Sequence, residues 1–299
     1  MTVKQYKSPE AYKQALEERI RVAGRARSMD MRRVRQILLF DRFLTRIFLE
    51  FGDRAIVKGG VVVELRLDRA RTTRDVDLRL VGSPDNLLES LQHAAQLDIG
   101  DYLTFLVVKD PIHATIEGEG IVYEGQRFRA EARLAGRIYG MPFGVDAAFG
   151  DVLTEQPDTI AGSTFLDFVG AQQGSFRIYP RETHIAEKLH AYTMPRAREN
   201  SRVKDLPDIA LLAQTGSFEA RRLCDAIEKT FEFRATHQVP LKIQAAPAGW
   251  AKVYARMALE DQLSWPTISD VEAAVRRFLE PPLNGFEGNW SPASWSWQT

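Results

Sequence analysis

The chain is 299 residues long with a hydrophobic share of 44%, enough to bury a sizeable core as one large domain or two ordinary ones. Lysine plus arginine and aspartate plus glutamate both number 40, so the formal net charge is zero, which excludes a whole-chain electrostatic case for nucleic acid or membrane. The single cysteine, Cys224, excludes an internal disulfide framework; with no signal-like N-terminus and no apolar run near about 18 residues, the sequence reads as soluble and cytoplasmic, with no membrane partner.

The first 38 residues carry ten basic side chains against four acidic ones, a locally basic arm. Within it, "SPEAYKQALEERIRVAG" at 8–24 opens with serine, proline and glutamate, the order of a helix N-cap and first turn. A second helix is expected over 30–51, where Val34, Leu38, Phe43, Leu44 and Ile47 recur at helical spacing. Short apolar "RAIVK" at 54–58 and alternating "RDVDLRLV" at 74–81 read as strands, and "SPDNLLESLQHAAQLD" at 83–98 as another helix. Strands are expected again at 102–108, at 120–134 with a Glu-Gly turn, and at 141–151.

Beyond about residue 175 helical periodicity returns at 181–193, 205–214, 217–234 and 269–279. Small and polar residues in "GSTFLDFVGAQQGS" suggest a boundary near 155–180. The expected organisation is α+β: residues 1–160 with a mixed sheet and the basic helical arm, then a mainly helical unit over 161–299. The tail "PPLNGFEGNWSPASWSWQT" holds three of the five tryptophans. It reads first as a tail packed on its own domain, with a docked lid or a partner-binding peptide as alternatives.

Chemistry concentrates in "VKGGVVVELRLDRARTTRDVDLRL" at 57–80. On a strand, Asp75 and Asp77 share one face, so two carboxylates repel each other unless a cation lies between them. Magnesium suits such a pair, because it is held by one or two carboxylates together with substrate phosphates. Gly59 and Gly60 follow a short strand, where a Gly-Gly turn into a helix lets backbone amides approach a triphosphate. Against that helix stand Val61, Val62 and Val63, whose propensity favours continuing the strand. Asp146, in the apolar strand "FGVDAAFGD", offers a third carboxylate, and Asp151 a lesser candidate. Each feature alone has an ordinary structural reading: Asp-x-Asp pairs decorate many solvated strands, and charged helices carry surface ion pairs.

The ordered set of "GG" at 59–60, "RTTRDVD" at 71–77 and a later strand aspartate resembles the polymerase-beta-like nucleotidyltransferase superfamily. With "YPRETHIAEKLHAY" at 179–192 and "RVKDLPDIALL" at 202–212, it looks like the AbiEii/AbiGii toxin family of type IV toxin-antitoxin systems, which includes the MenT toxins. The resemblance implies a polymerase-beta-like domain followed by a helical one. It implies Gly59, Gly60, Arg71 and Thr73 at the nucleotide, and Asp75, Asp77 and Asp146 at two magnesium ions. Lys188 would meet the triphosphate, and Asp205 would belong to the catalytic set. It further implies transfer of NMP from an NTP to the 3′ end of tRNA, blocking aminoacylation and translation, and a cognate antitoxin. The alternatives are a protein or small-molecule hydroxyl as acceptor, or a silent nucleotide-binding module.

Overall fold

The computed structural model describes residues 6–67, 70–82, 85–115, 125–150, 153, 155–196 and 200–299. Helix α1 (Pro9–Arg27) begins where the Ser8 hydroxyl accepts the Ala11 amide, and Tyr12, Leu16 and Ile20 turn inward one helical turn apart. Helix α2 (Met31–Phe51) is capped by Asp30, which accepts the Arg32 amide. Then come β1 (Ala55–Lys58), α3 (Gly60–Arg66) and β2 (Asp75–Leu80), followed by α4 (Leu87–Gln96). Strands β3 (Leu103–Lys109), β4 (Gly125–Leu134), β5 (Arg137–Ile138) and β6 (Phe143–Phe149) precede β7 (Asp158–Ala161) and β8 (Ser175–Ile178).

These strands make one mixed sheet in the order β3-β4-β6-β2-β1-β8-β7, with β5 added to β4. Strand β2 runs antiparallel to β1 but parallel to β6. Inward residues of β3 and β4 alternate with exposed ones, the period-two signature of a sheet with one face packed. The packed face joins α1, α2 and α4 in a core that includes Leu39, Phe43, Leu91, Phe105, Phe128 and Val145.

The helical part comprises α5 (Arg181–Thr193), α6 (Asp205–Ala213), α7 (Ala220–Arg234), α8 (Trp250–Glu260) and α9 (Ile268–Leu283). These surround a second core containing Leu189, Ile209, Ile227, Tyr254 and Phe278. Helix α3 lies between the two cores: Val61 and Val62 enter the first, and Val63 the second. This resolves the conflict at the triple valine. A helix buried on opposite sides gains enough packing from three branched side chains to override their propensity for strand.

Several expectations are corrected. Strands β7 and β8 carry the sheet to Ile178, past residue 160. The segment anticipated as a boundary buries Leu166, Phe168 and Val169 in the first core, so its small residues make tight packing instead of a linker. Helix α8 went unread in the sequence, although Trp250, Tyr254 and Ala258 mark its buried stripe. The tail forms a hairpin of β9 (Asn289–Ser291) and β10 (Ser296–Gln298). Trp290 is 1% exposed and donates its indole N–H to Ala213 O, while Trp297 donates to Phe278 O; the tryptophans close the second core. The Ser83-Pro84 helix start, the first part of the 120–134 strand with Glu124 of its turn, and Asp151 lie outside the described residues. Among the described residues no helix is long and apolar enough to cross a membrane.

Candidate active site

Four charged residues lie side by side across four strands. In register, Lys58 of β1 pairs with Asp77 of β2, Asp77 with Asp146 of β6, and Asp146 with Arg127 of β4. Cross-strand partners share a face, so the order is cation, anion, anion, cation. Asp75 adds a third carboxylate two residues along β2, with Gly144 opposite it. Burial, and next the Asp146 charge, push the Asp77 carboxyl up to about 6, while Lys58 and Lys188 oppose the rise. Asp146 accepts two hydrogen bonds from Arg127, Nε to Oδ1 and Nη2 to Oδ2, each 2.7 Å.

Glycines make room for these carboxylates. Gly59 has φ +68°, and a Cβ there would lie 1.8 Å from Asp77 Oδ2. A Cβ at Gly60 would lie 2.7 Å from Thr73 Oγ1, and one at Gly144 2.4 Å from Asp75 Oδ1. The preceding loop is pinned at successive residues. Arg71 donates Nε and Nη2 to the two oxygens of Asp208, the Thr72 hydroxyl donates to Asp261 Oδ1, and the Thr73 amide donates to Glu64 Oε1. Arg71 and Thr73 are both buried and line the cleft while holding its wall, Arg71 through its guanidinium and Thr73 through its backbone amide. Burial pushes the Glu64 carboxyl up to about 7, against the Thr73 amide and Arg33.

From the helical side, Lys188 Nζ on α5 stands 2.8 Å from Asp208 Oδ2 and 3.5 Å from Asp205 Oδ1. Arg202 donates to both oxygens of Asp205. Burial alone would raise the Asp208 carboxyl, but Arg71 and Lys188 beside it hold it well below the usual carboxylate range. Asp205 thus lies between two cations, Lys188 and Arg202. His184, one helical turn before Lys188, is kept neutral by burial and by the Lys188 charge, which lower its imidazole to about 3; neither ring nitrogen has a partner among the described residues.

Gly59, Gly60, Arg71, Thr73, Asp75, Asp77, Asp146, Lys188 and Asp205 all line one cleft of about 600 Å³, a size suited to a nucleotide. A second cavity of about 390 Å³ adjoins it and shares Asp75, Arg127 and Asp146. Among the described residues no three carboxylate, histidine or cysteine side chains form a ready-made metal cage, and Asp146 is paired with Arg127. The donor set fits magnesium in another way: the buried Asp77 carboxylate sits beside the like charges of Asp146 and Asp75, an arrangement a cation relieves and substrate phosphates would complete.

Sequence reasoning missed Lys58, Arg127 and His184. A lysine ending the otherwise apolar strand "AIVK" was a usable signal for the first. The roles of the other two depend on strand register and helix docking that no local spacing displays.

A family model described as nucleotidyl transferase AbiEii toxin, type IV toxin-antitoxin system, matches residues 42–277. Among solved structures the chain is similar to MenT4, a nucleotidyltransferase toxin from Mycobacterium tuberculosis, at 14% identity with a TM-score of 0.58, covering 94% of this chain and 92% of that one. A lesser likeness is to JHP933 from Helicobacter pylori, at 16% identity and a TM-score of 0.43, covering 82% and 94%. No curated protein matches the chain.

Proposed function

The chain belongs to the AbiEii family of nucleotidyl transferase toxins of type IV toxin-antitoxin systems, and from that premise we propose that it transfers NMP from an NTP to the 3′ hydroxyl of an RNA, with tRNA as the acceptor. The observation that carries this reading is the convergence of Asp75, Asp77 and Asp146 on the sheet with Lys188 from the helical side, around one cleft.

In this reading the acceptor oxygen attacks the α-phosphorus, the bond to the bridging oxygen breaks, and pyrophosphate leaves. Asp75 and Asp77 would hold the magnesium ions. Once bound, magnesium neutralises charge on the transferring phosphoryl group and eases loss of the hydroxyl proton. Lys188 faces the departing phosphates, where a point charge suits pyrophosphate, and the Gly59–Gly60 backbone lies beside them. Asp146 takes the acceptor proton, since it lies in register beside Asp77 on the neighbouring strand, whereas Asp205 stands on the helical side between Lys188 and Arg202. Nucleotides added to tRNA would block its aminoacylation and stop translation in the cytoplasm, and a cognate antitoxin would restrain the activity.

Incubation of the protein with magnesium, each labelled NTP and a total cell extract tests the reading. Label is expected in RNA of tRNA size and to depend on Asp77. Label confined to protein or to small molecules would overturn the acceptor assignment, and no transfer to any acceptor would overturn the activity.

A further inference from the structure

The second cavity opens beside the nucleotide cleft and shares Asp75, Arg127 and Asp146 with it. Its floor is Gly144, which stands between Asp75 of β2 on one side and Arg129 of β4 on the other. The Gly144 amide donates to Arg74 O at 3.3 Å, so Arg74 borders the same floor from the β2 end. Because Gly144 has no side chain, the Asp75 carboxylate lies over it, and the hollow opens beside that carboxylate with Arg74 and Arg129 on its rim.

We propose that this hollow seats the sugar–phosphate backbone of the acceptor strand, with Arg74 and Arg129 as its phosphate contacts. The inference rests on the RNA-transfer reading above and adds where the strand lies. Direction comes first. In-line displacement puts attacking and leaving oxygens on opposite sides of phosphorus. Gly59 at the end of β1 lies on one side of the carboxylate row, and Arg129 on β4 lies on the other. Pyrophosphate leaving toward Gly59 and Lys188 requires an acceptor arriving from the β4 side.

Reach comes second. The last phosphodiester of a strand is one sugar away from its 3′ hydroxyl, so its binding site must adjoin the residue that receives the proton. The hollow shares Asp146 and Asp75 with the main cleft.

Charge comes third. The hollow contains three arginines and three aspartates, but they are not equivalent. Arg127 and Asp146 satisfy each other, and Asp110 accepts the backbone amides of Ile112 and His113. Arg74 and Arg129 are exposed and form no ion pair with any described residue. A guanidinium fork matches phosphate oxygens in geometry as well as charge. The surface beyond is open as well, with Leu106 and Val108 of the edge strand β3 each 43% exposed.

The test replaces both arginines, Arg74→Gln with Arg129→Gln, and measures binding of a 5′-fluorescein single-stranded RNA with a free 3′ hydroxyl by anisotropy across a salt series. Loss of two phosphate contacts is expected to weaken binding roughly tenfold and to flatten the slope of log K against log salt by about 1.4. Lysine at both positions keeps the charges and is expected to recover most of that slope. The control pair Lys252→Gln with Arg256→Gln, on exposed positions of α8 that line neither cavity, is expected to bind as the wild type does. Equal loss in the control, an unchanged glutamine pair, or no RNA binding by the wild type would each overturn the seat. Transfer is scored separately. Wild-type protein that binds RNA through these arginines yet labels none would keep the seat and overturn the reaction. Labelling with an unchanged KM for RNA in the glutamine pair would do the reverse.

Discussion

Arg127 and Asp146 face each other across adjacent antiparallel strands and are joined by two parallel hydrogen bonds of 2.7 Å. Asp146 also neighbours Asp77 in register. The same carboxylate thus faces a cation on one side and a like charge on the other, and Arg127 competes with any metal ion for it. Arg127→Gln should free Asp146 and raise the concentration of negative charge around Asp77. Titration calorimetry with magnesium or manganese is expected to show binding tighter by about 1 kcal/mol, roughly fivefold. Unchanged or weaker binding would show that Arg127 does not compete.

Asp77→Asn should abolish transfer and, without metal, stabilise the fold. The sign follows from its raised carboxyl, near about 6 in the fold against about 3.9 unfolded. Below about pH 4 Asp77 is protonated in both states and costs nothing; as pH rises toward 6 the folded state is increasingly penalised. Metal-free Asp77→Asn is therefore expected to melt about 2–4 °C above wild type at about pH 7.5, with the gap closing near pH 4. Magnesium should raise the melting temperature of wild type and leave the variant unmoved. A variant that melts lower at neutral pH would contradict the assignment.

Asp208 behaves in the opposite sense. Its carboxyl is held low by Arg71 and Lys188, so its contribution is present above the unfolded value of about 3.9 and is lost only as pH falls below it. Asp208→Asn leaves a buried Arg71 without its anion and is expected to cost about 3–5 kcal/mol. Lys188→Met leaves the Arg71–Asp208 pair in place and should cost far less stability while removing most of the transfer activity. Denaturant unfolding of the two variants beside their turnover separates the roles; equal stability losses would refute the division.

Much of this was legible in residue order, because the fold's chemistry is local at its start. Asp75 and Asp77 share a face by strand geometry alone, and the Ser8-Pro9 start of α1 is a capping signal that needs no partner. What spacing could not display was contact between distant strands and helices. Val61, Val62 and Val63 argue for strand until two cores are known to enclose them. Arg71 lines the cleft, but only the docking of α6 shows that Asp208, 137 residues later, accepts two of its guanidinium nitrogens. Trp290 could have been a free anchor, and only the helical core it closes shows otherwise.

The two glycines of the opening motif should differ from each other and from Gly144. At Gly59 the positive φ and a Cβ 1.8 Å from Asp77 Oδ2 act together: alanine there strains the backbone by about 1–3 kcal/mol and drives the carboxylate from its place. At Gly144 the clash is with Asp75 Oδ1 at 2.4 Å, and Asp75 is exposed, so its carboxylate can swing into solvent at little cost. Gly59→Ala is therefore expected to lower both the melting temperature and the stabilisation by magnesium, and to abolish transfer. Gly144→Ala should melt close to wild type while turnover falls, because it displaces one carboxylate and fills the hollow floor without straining the chain. Parallel melts with and without magnesium decide the matter: a Gly144→Ala protein as unstable as Gly59→Ala would mean that Asp75 is held as firmly as Asp77.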